Sequence, residues 1–214
     1  MPSGDVPVPG IGHRKALRLI MDLGERAFSL SLFVSFAVRM SHALVLRPWD
    51  GLIIVSEALV VVFMLTRRLA KDVSMNFSDW AVALLGTAAP MLVRPGGHTL
   101  VPPVVGMALM LFGVLFSIWG KLILRRGFGL AAANRGVVRS GAYRIVRHPI
   151  YAGYVVIYIG FFVVNPTAWN AAVYASVATL LALRILAEER VLARDPAYAA
   201  FMTEVRYRLV PGLF

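Results

Sequence analysis

The sequence contains no cysteine and little charge. Without cysteine the chain can form no disulfide, no thiolate nucleophile and no Cys-ligated metal site. Charged residues make up 15% of the 214 residues, whereas an ordinary soluble domain has about a quarter. Hydrophobic residues make up 59%, and the mean hydropathy is +0.74. This composition excludes a disordered chain and a conventional soluble enzyme.

Acidic residues are scarcer than basic ones: 11 Asp and Glu stand against 22 Lys and Arg, a net charge of +11. A basic excess often indicates nucleic-acid binding, but so apolar a chain leaves too little solvated surface for a nucleic-acid partner. Lys and Arg collect in the cytoplasmic loops of membrane proteins, so a membrane accounts for the charge. Only three of the basic residues are lysine, a bias typical of high-GC bacteria. We therefore expect a bacterial inner membrane, or the endoplasmic reticulum if the source is eukaryotic.

Six apolar segments approach the roughly 20 residues that a helix needs to cross a bilayer. The second, third and fifth are short, so each either crosses where its neighbours thin the bilayer or is instead re-entrant or tilted. The sequence thus predicts an all-α bundle of about five to six spans, preceded by a cytoplasmic tail and interfacial helix over residues 1–26. Spans one to four occupy residues 27–124, and a region rich in polar motifs occupies 125–214. The segments are 27–46, 51–65, 77–93, 100–124, 149–164 and 168–187.

The orientation follows from the basic residues in the connections. From the N-terminal segment to the C-terminal tail these number four, one, three, one, seven, none and four. The alternation has no exception, and it predicts that both termini are cytoplasmic.

The last two spans are joined by only three residues, Asn165-Pro166-Thr167. They therefore form an antiparallel hairpin whose two far ends lie on the same side of the membrane. Those ends carry His148 and Glu188, so the hairpin brings together two polar clusters about 40 residues apart in sequence.

Two charges lie inside the first two spans, Arg39 and Glu57. At about 1.5 Å per residue both are roughly 10 Å deep, and opposite charges at matched depth predict an ion pair, which His42 joins. The alternative is a substrate or proton site, since charges inside a membrane are functional candidates. In the fourth span, glycines at seven-residue intervals predict a close helix-packing face: Gly106, Gly113 and Gly120.

A long basic loop ends at the fifth span. His148 precedes Pro149, which predicts that His148 lies at the N-cap of a helix. The free backbone N–H groups of such a terminus attract carboxylate or phosphate. Tyr151 lies one turn along the same helix, and Gly153 allows a large group to approach the backbone. A loop that merely binds anionic lipid head groups would explain the charge but not this pattern.

The second cluster, at the end of the sixth span, contains the adjacent carboxylates of Glu188 and Glu189. They point about 100° apart on a helix, so we expect one to face a ligand while the other pairs with Arg184 or Arg147. Two acidic residues at a helix C-terminus oppose the helix dipole, which favours a functional role. A further helix begins at Asp195-Pro196 and continues into a basic, aromatic strip over residues 205–211 that lies against the membrane.

The segment Arg147-His148-Pro149-Ile150-Tyr151-Ala152-Gly153, together with Glu188-Glu189, Tyr198 and Phe201, resembles the integral-membrane isoprenylcysteine carboxyl methyltransferase family. The wider group includes phospholipid N-methyltransferases. The resemblance covers residues 136–211. Two positions depart from the family pattern: Ala142, where Pro is usual, and Phe201, where Tyr is common.

The resemblance implies a methyltransferase with a cytosol-facing S-adenosylmethionine pocket beneath a lipid-accessible cavity, formed by residues 125–214. A Glu carboxylate would accept from the cofactor's ribose or ammonium, and the N–H groups near His148, with Arg147, would bind its carboxylate. Arg184 or Arg208 would position the acceptor. Candidate cofactor-binding residues are Val138, Gly141, Tyr143, Arg147, His148, Pro149, Tyr151, Gly153, Glu188 and Glu189; candidate catalytic residues are Arg184, Arg208 and Glu189; no metal is expected.

The acceptor expected first is an isoprenylcysteine α-carboxylate or a similar lipid acid, whose methylation needs no base. An N-, S- or phenol O-methyltransferase acting on a lipid or small hydrophobic acceptor is the alternative. A third hypothesis, a transporter or lipid-binding scaffold using Arg39 and Glu57, predicts internal repeats, and the sequence has none that we detect. The partners expected are therefore a lipophilic acceptor and membrane lipids.

Overall fold

The computed structural model of the protein describes residues 11–66, 77–124 and 137–214. These ranges are helical and contain no strand, as the sequence predicts. Short 3₁₀ turns precede α2, follow α3 and precede α5. The α-helices are α1 (Ile11–Ser41), α2 (Gly51–Thr66), α3 (Phe77–Ala88), α4 (Pro103–Leu124), α5 (Pro149–Val164), α6 (Ala168–Leu192) and α7 (Pro196–Glu204).

Within the described ranges, three helical segments are long and apolar enough to cross a membrane: Pro48–Thr66, Pro103–Leu124 and Ala168–Leu192. Two further apolar segments, Phe77–Leu92 and Pro149–Val164, are shorter. The bounds of α5 coincide with the predicted fifth segment, because Pro149 starts the helix and the turn at Asn165 ends it. The number of spans that cross the bilayer stays a prediction.

The first helix differs from its prediction. Residues Ile11–Ser41 form one continuous helix, so the expected interfacial helix and the first span are not separate elements. This stretch contains no proline, and its two glycines, Gly12 and Gly24, lie within the helix. The helix ends at Ser41, five residues before the predicted limit of 46. Several predicted elements lie outside the described residues: the tail 1–10 and the basic loop residues Arg67, Arg68, Lys71, Arg125, Arg126 and Arg135.

Helices α4 and α5 form the most extensive contact of the described helices, and glycine makes it possible. A Cβ atom on Gly113 would lie 2.6 Å from the carbonyl oxygen of Gly153, and one on Gly153 would lie 2.7 Å from that of Gly113. Two turns along each helix, a Cβ on Gly160 would lie 2.9 Å from the carbonyl oxygen of Gly106. The two backbones touch, which confirms the predicted packing face.

The turn between α5 and α6 is held by polar contacts. The Thr167 side chain caps α6 by accepting from the backbone N–H of Asn170 at 3.1 Å. The Asn165 amide donates to Asp50 at 2.8 Å, and its oxygen accepts from Arg47 at 2.9 Å. The predicted hairpin is thus confirmed, and it returns the end of α6 to the start of α5.

The predicted Arg39–Glu57 ion pair is wrong. The Arg39 guanidinium donates to the carbonyl oxygen of Met91, at the end of the α3 segment. The cation that attracts Glu57 is Lys121 of α4, and His42 is exposed. The depth of a residue in the membrane does not determine how its helix is rotated about its axis. In the structure, α2 is rotated so that Glu57 faces α4.

We expect Gly113→Ala to lower the melting temperature, because its methyl group would force two backbones apart. Overpacking costs about 1–3 kcal/mol, which outweighs the gain in helix propensity of about 1 kcal/mol. The matched control is Gly86→Ala, where the nearest atom to the new Cβ lies at 3.9 Å. Thermal unfolding of both variants in detergent measures the effect; equal melting temperatures would contradict the close contact.

Candidate active site

The carboxylate of Glu189 is the centre of a buried ionic cluster. Its Oε1 accepts from the Nε atom of Arg147 at 2.8 Å and lies 3.2 Å from the Nε2 atom of His148. Its Oε2 accepts from the Nε atom of Arg208 at 2.9 Å. Glu189 is only 5% exposed, so the pairing offsets the cost of removing its charge from water.

The segment after α7 is attached to the start of α5. The Nη1 atom of Arg147 donates to the carbonyl oxygens of Val205 and Arg206, both at 2.8 Å. The backbone N–H groups of Arg147 and His148 donate to the next two carbonyls along that segment, both at 2.9 Å. These contacts hold Arg208 beside Glu189.

The predicted C-terminal helix is present but ends at Glu204, and its position at the membrane surface stays a prediction. The helix begins as expected, with Asp195 as its N-cap, but Val205 has an extended backbone and the strip 205–211 is not helical. The physical reason is that Arg147 binds carbonyl oxygens that a continuing helix would use internally.

Glu188 forms the second half of the cluster. Its Oε1 accepts from the Tyr151 hydroxyl and from the Nε atom of Arg184, the latter at 3.4 Å. Its Oε2 lies 3.9 Å from the Nδ1 atom of His148. The His148 and Tyr151 rings stack, with centroids 5.8 Å apart and planes 16° apart. His148 therefore contacts both carboxylates.

The two carboxylates pair with different arginines, a choice that the sequence did not determine. Glu188 pairs with Arg184, and Glu189 pairs with Arg147. The Glu188 side chain is 18% exposed and that of Glu189 is 6% exposed. Glu188 is therefore the carboxylate with access to a ligand, whereas Glu189 holds the surrounding side chains in position.

An aromatic cluster adjoins the ionic one. Tyr143, Tyr198 and Phe201 are buried together, with Val137 and Val138 packed against them. The Tyr198 hydroxyl is buried and has no hydrogen-bond partner in the described part of the chain. Burial raises the pKa of Tyr198, so the hydroxyl stays protonated and can donate. An unpaired buried donor of this kind points to a ligand.

The predicted site residues comprise two clusters, one helix-start residue and two glycines. The ionic cluster contains Arg147, His148, Tyr151, Arg184, Glu188, Glu189 and Arg208, and the aromatic cluster contains Val138 and Tyr143. Pro149 is the first residue of α5, after His148 as its N-cap. The remaining two are backbone positions: Gly153 faces α4, and Gly141 has φ +56° with Ile123 2.2 Å from where a Cβ would lie. For Gly153, the expected approach of a ligand is replaced by helix packing.

A cavity of about 30 Å³ lies next to the ionic cluster, among membrane helices. Its wall includes Tyr151 and Arg184 of the cluster, and also Glu57, Tyr154 and Tyr158. Tyr154 and Tyr158 were not among the predicted site residues, although together with Tyr151 they have the three- and four-residue spacing of one helix face. They looked like part of the apolar span.

An apolar groove of about 340 Å³ adjoins this cavity and runs between α5 and α6. The groove and the cavity share Tyr158, Val177 and Leu181. The apolar groove and the cavity beside the polar cluster are therefore neighbours, with these three residues lining both.

Residues 105–205 match the model of the isoprenylcysteine carboxyl methyltransferase (ICMT) family. This part of the chain, a little under half of its length, is similar to the ICMT family. The family consists of membrane methyltransferases that in general use S-adenosylmethionine. The match begins in α4 and ends just after α7, so it includes the Glu188–Glu189 pair and excludes α1 to α3. No curated protein matches the chain.

We expect Glu189→Gln to destabilise the protein strongly, because the amide leaves Arg147 buried without its counter-charge. Breaking a buried ion pair typically costs about 3–5 kcal/mol. Glu204→Gln is the control, since the Glu204–Arg139 pair is exposed and such pairs contribute about 0–1 kcal/mol. Melting temperatures in detergent compare the two; a Glu189→Gln protein as stable as Glu204→Gln would refute the central role of Glu189.

Proposed function

We propose that the protein binds S-adenosylmethionine at the Glu188–Glu189 cluster and transfers its methyl group to a lipophilic acceptor. The observation that carries the proposal is the assembly of Arg147, His148, Tyr151 and both carboxylates within the ICMT-family region. Similarity to a methyltransferase family explains why a charged cluster of this kind lies against membrane helices.

The donor set fits the chemistry of the cofactor. S-adenosylmethionine has a carboxylate, an ammonium, a sulfonium, a ribose diol and a flat adenine. The partly exposed Glu188 suits the ribose hydroxyls or the ammonium, and the Arg208 guanidinium, whose side chain is 29% exposed, suits the carboxylate. The unpaired hydroxyl of Tyr198, beside Tyr143, suits the adenine.

The cofactor would supply an electrophilic methyl group on its sulfonium sulfur. The protein's task is then orientation, since direct displacement needs the two reacting atoms close and in line. Glu189 would hold Arg147, His148 and Arg208 in a fixed arrangement, and the stacked ring of Tyr151 would bound the site on the membrane side.

The groove between α5 and α6 fits the tail of a lipophilic acceptor. Its wall is almost entirely apolar, and it shares three wall residues with the cavity that borders Arg184 and Tyr151. A tail in the groove would bring a head group up to the ionic cluster.

Charge asymmetry among the loops supports a cytosolic position for the cluster and for both termini, in a bacterial inner membrane.

Two head-group classes fit different features of this cavity. A lipid carboxylate, such as that of an isoprenylcysteine, fits Arg184 in its wall. A phenol, amine or thiol fits Glu57 in the same wall. A transporter or scaffold is less well supported, since Arg39 contacts Met91 instead of Glu57.

Saturable binding of S-adenosylmethionine to the purified protein in detergent tests the cofactor assignment. We expect Glu188→Gln to weaken binding at least about tenfold, because a charge-assisted hydrogen bond is lost. Arg190→Gln is the control on the same helix, since its side chain is largely exposed and pairs with Asp79. Unchanged affinity in Glu188→Gln would refute the role of Glu188.

Methyl transfer itself is tested with methyl-labelled cofactor and lipid vesicles containing candidate acceptors. We expect label to appear in a lipid product in an amount that depends on intact Glu188. A protein that binds the cofactor but labels no lipophilic compound would contradict the proposed activity.

A further inference from the structure

Glu57 is a buried carboxylate that the proposed cofactor site does not use. It lies in the middle of α2, is 3% exposed, and lines the cavity next to Tyr151 and Arg184. Its Oε1 has no hydrogen-bond partner among residues 11–66, 77–124 and 137–214. Lys121 supplies an opposite charge nearby. Buried acceptors are rarely left unpaired, so the free oxygen indicates a ligand.

A second unpaired group faces the same cavity. The Tyr154 hydroxyl is buried, has no hydrogen-bond partner within the described ranges, and lies in electrostatic reach of Glu57 and Arg184. A group that both donates and accepts would satisfy the two together: it would donate to Glu57 and accept from Tyr154. Hydroxyl and neutral amino groups have this property, and each is about the size of the one water for which the cavity has room.

A carboxylate fits this position less well. It has no proton to donate to Glu57, and in a cavity of low dielectric it would be repelled by that charge. The two cations beside the cavity are already compensated, because Arg184 pairs with Glu188 and Lys121 attracts Glu57. The balance of charge therefore favours a neutral head group.

We propose that Glu57 is a catalytic residue that binds a protic head group and takes its proton, so that the acceptor is a lipid hydroxyl or amine. This inference rests on the proposed methyl transfer. In the step, the acceptor oxygen or nitrogen forms a bond to the methyl carbon as the carbon–sulfur bond of the cofactor breaks. The sulfonium sulfur keeps that electron pair and becomes a neutral thioether, and the acceptor's proton passes to the Glu57 carboxylate.

The test compares an alkylphenol, an alkylamine and a fatty acid of equal chain length as acceptors for the purified full-length protein with labelled cofactor. We expect the phenol or the amine to be methylated at least about tenfold faster than the acid. We expect Glu57→Gln to lower kcat at least about 100-fold, the usual contribution of a general base, with unchanged affinity for S-adenosylmethionine. Ser56→Ala, a buried neighbour outside the cavity wall, serves as the control with full activity.

A second variant distinguishes the loss of a proton acceptor at position 57 from the loss of the negative charge beside Lys121. Glu57→Gln removes a negative charge that attracts Lys121. Combining Glu57→Gln with Lys121→Met removes both charges, so the charge balance at this position is restored. Recovery of methyl transfer in the double variant would overturn the inference, whereas continued loss in a protein of normal melting temperature supports it.

The remaining outcomes distinguish the two proposals. Preferred methylation of the acid overturns the role of Glu57 alone. Binding of the cofactor without methylation of any of the three acceptors overturns the proposed methyl transfer, and the inference with it. Failure of the unaltered protein to bind S-adenosylmethionine overturns the proposed function and the inference with it.

Discussion

The carboxylate of Glu189 is buried among side chains from two other segments of the chain: Arg147 and His148 at the start of α5, and Arg208 after α7. A charge of this kind is tolerated away from water only when its partners are in place. The end of α6, the start of α5 and the C-terminal strip must therefore assemble together. That assembly also fixes the positions of Tyr151 and Glu188, because Tyr151 lies one turn after His148 and Glu188 directly precedes Glu189.

A second constraint sets the rotation of α5. The backbone contact between Gly113 and Gly153 holds one face of α5 against α4. The tyrosines at positions 151, 154 and 158 are then turned towards the cavity that α2, α3 and α6 complete. Tyr151 belongs to both sites, because its hydroxyl binds Glu188 and its ring borders the cavity. A cofactor and a lipid acceptor would meet at this residue.

Much of this arrangement can be read from local sequence. Pro149 predicts the start of α5 and the N-cap position of His148, because proline suits the first turn of a helix. The three-residue connection predicts the hairpin and hence the meeting of His148 with the Glu188–Glu189 pair. By contrast, the Arg39–Glu57 pair was inferred from depth alone, and the C-terminal helix was extended past Glu204 because its sequence gives no stop signal.

Composition, spacing and turn length thus determined the membrane class, the bounds of α5 and the hairpin, because these depend on properties local to the chain. Only the tertiary structure decided which carboxylate is exposed, that Gly153 packs against α4, and that Glu57 faces Lys121 and the cavity. The physical reason is that a helix can be rotated about its axis without changing its hydrophobicity or its depth. Contacts between distant helices determine that rotation, and with it the side chains that share a site.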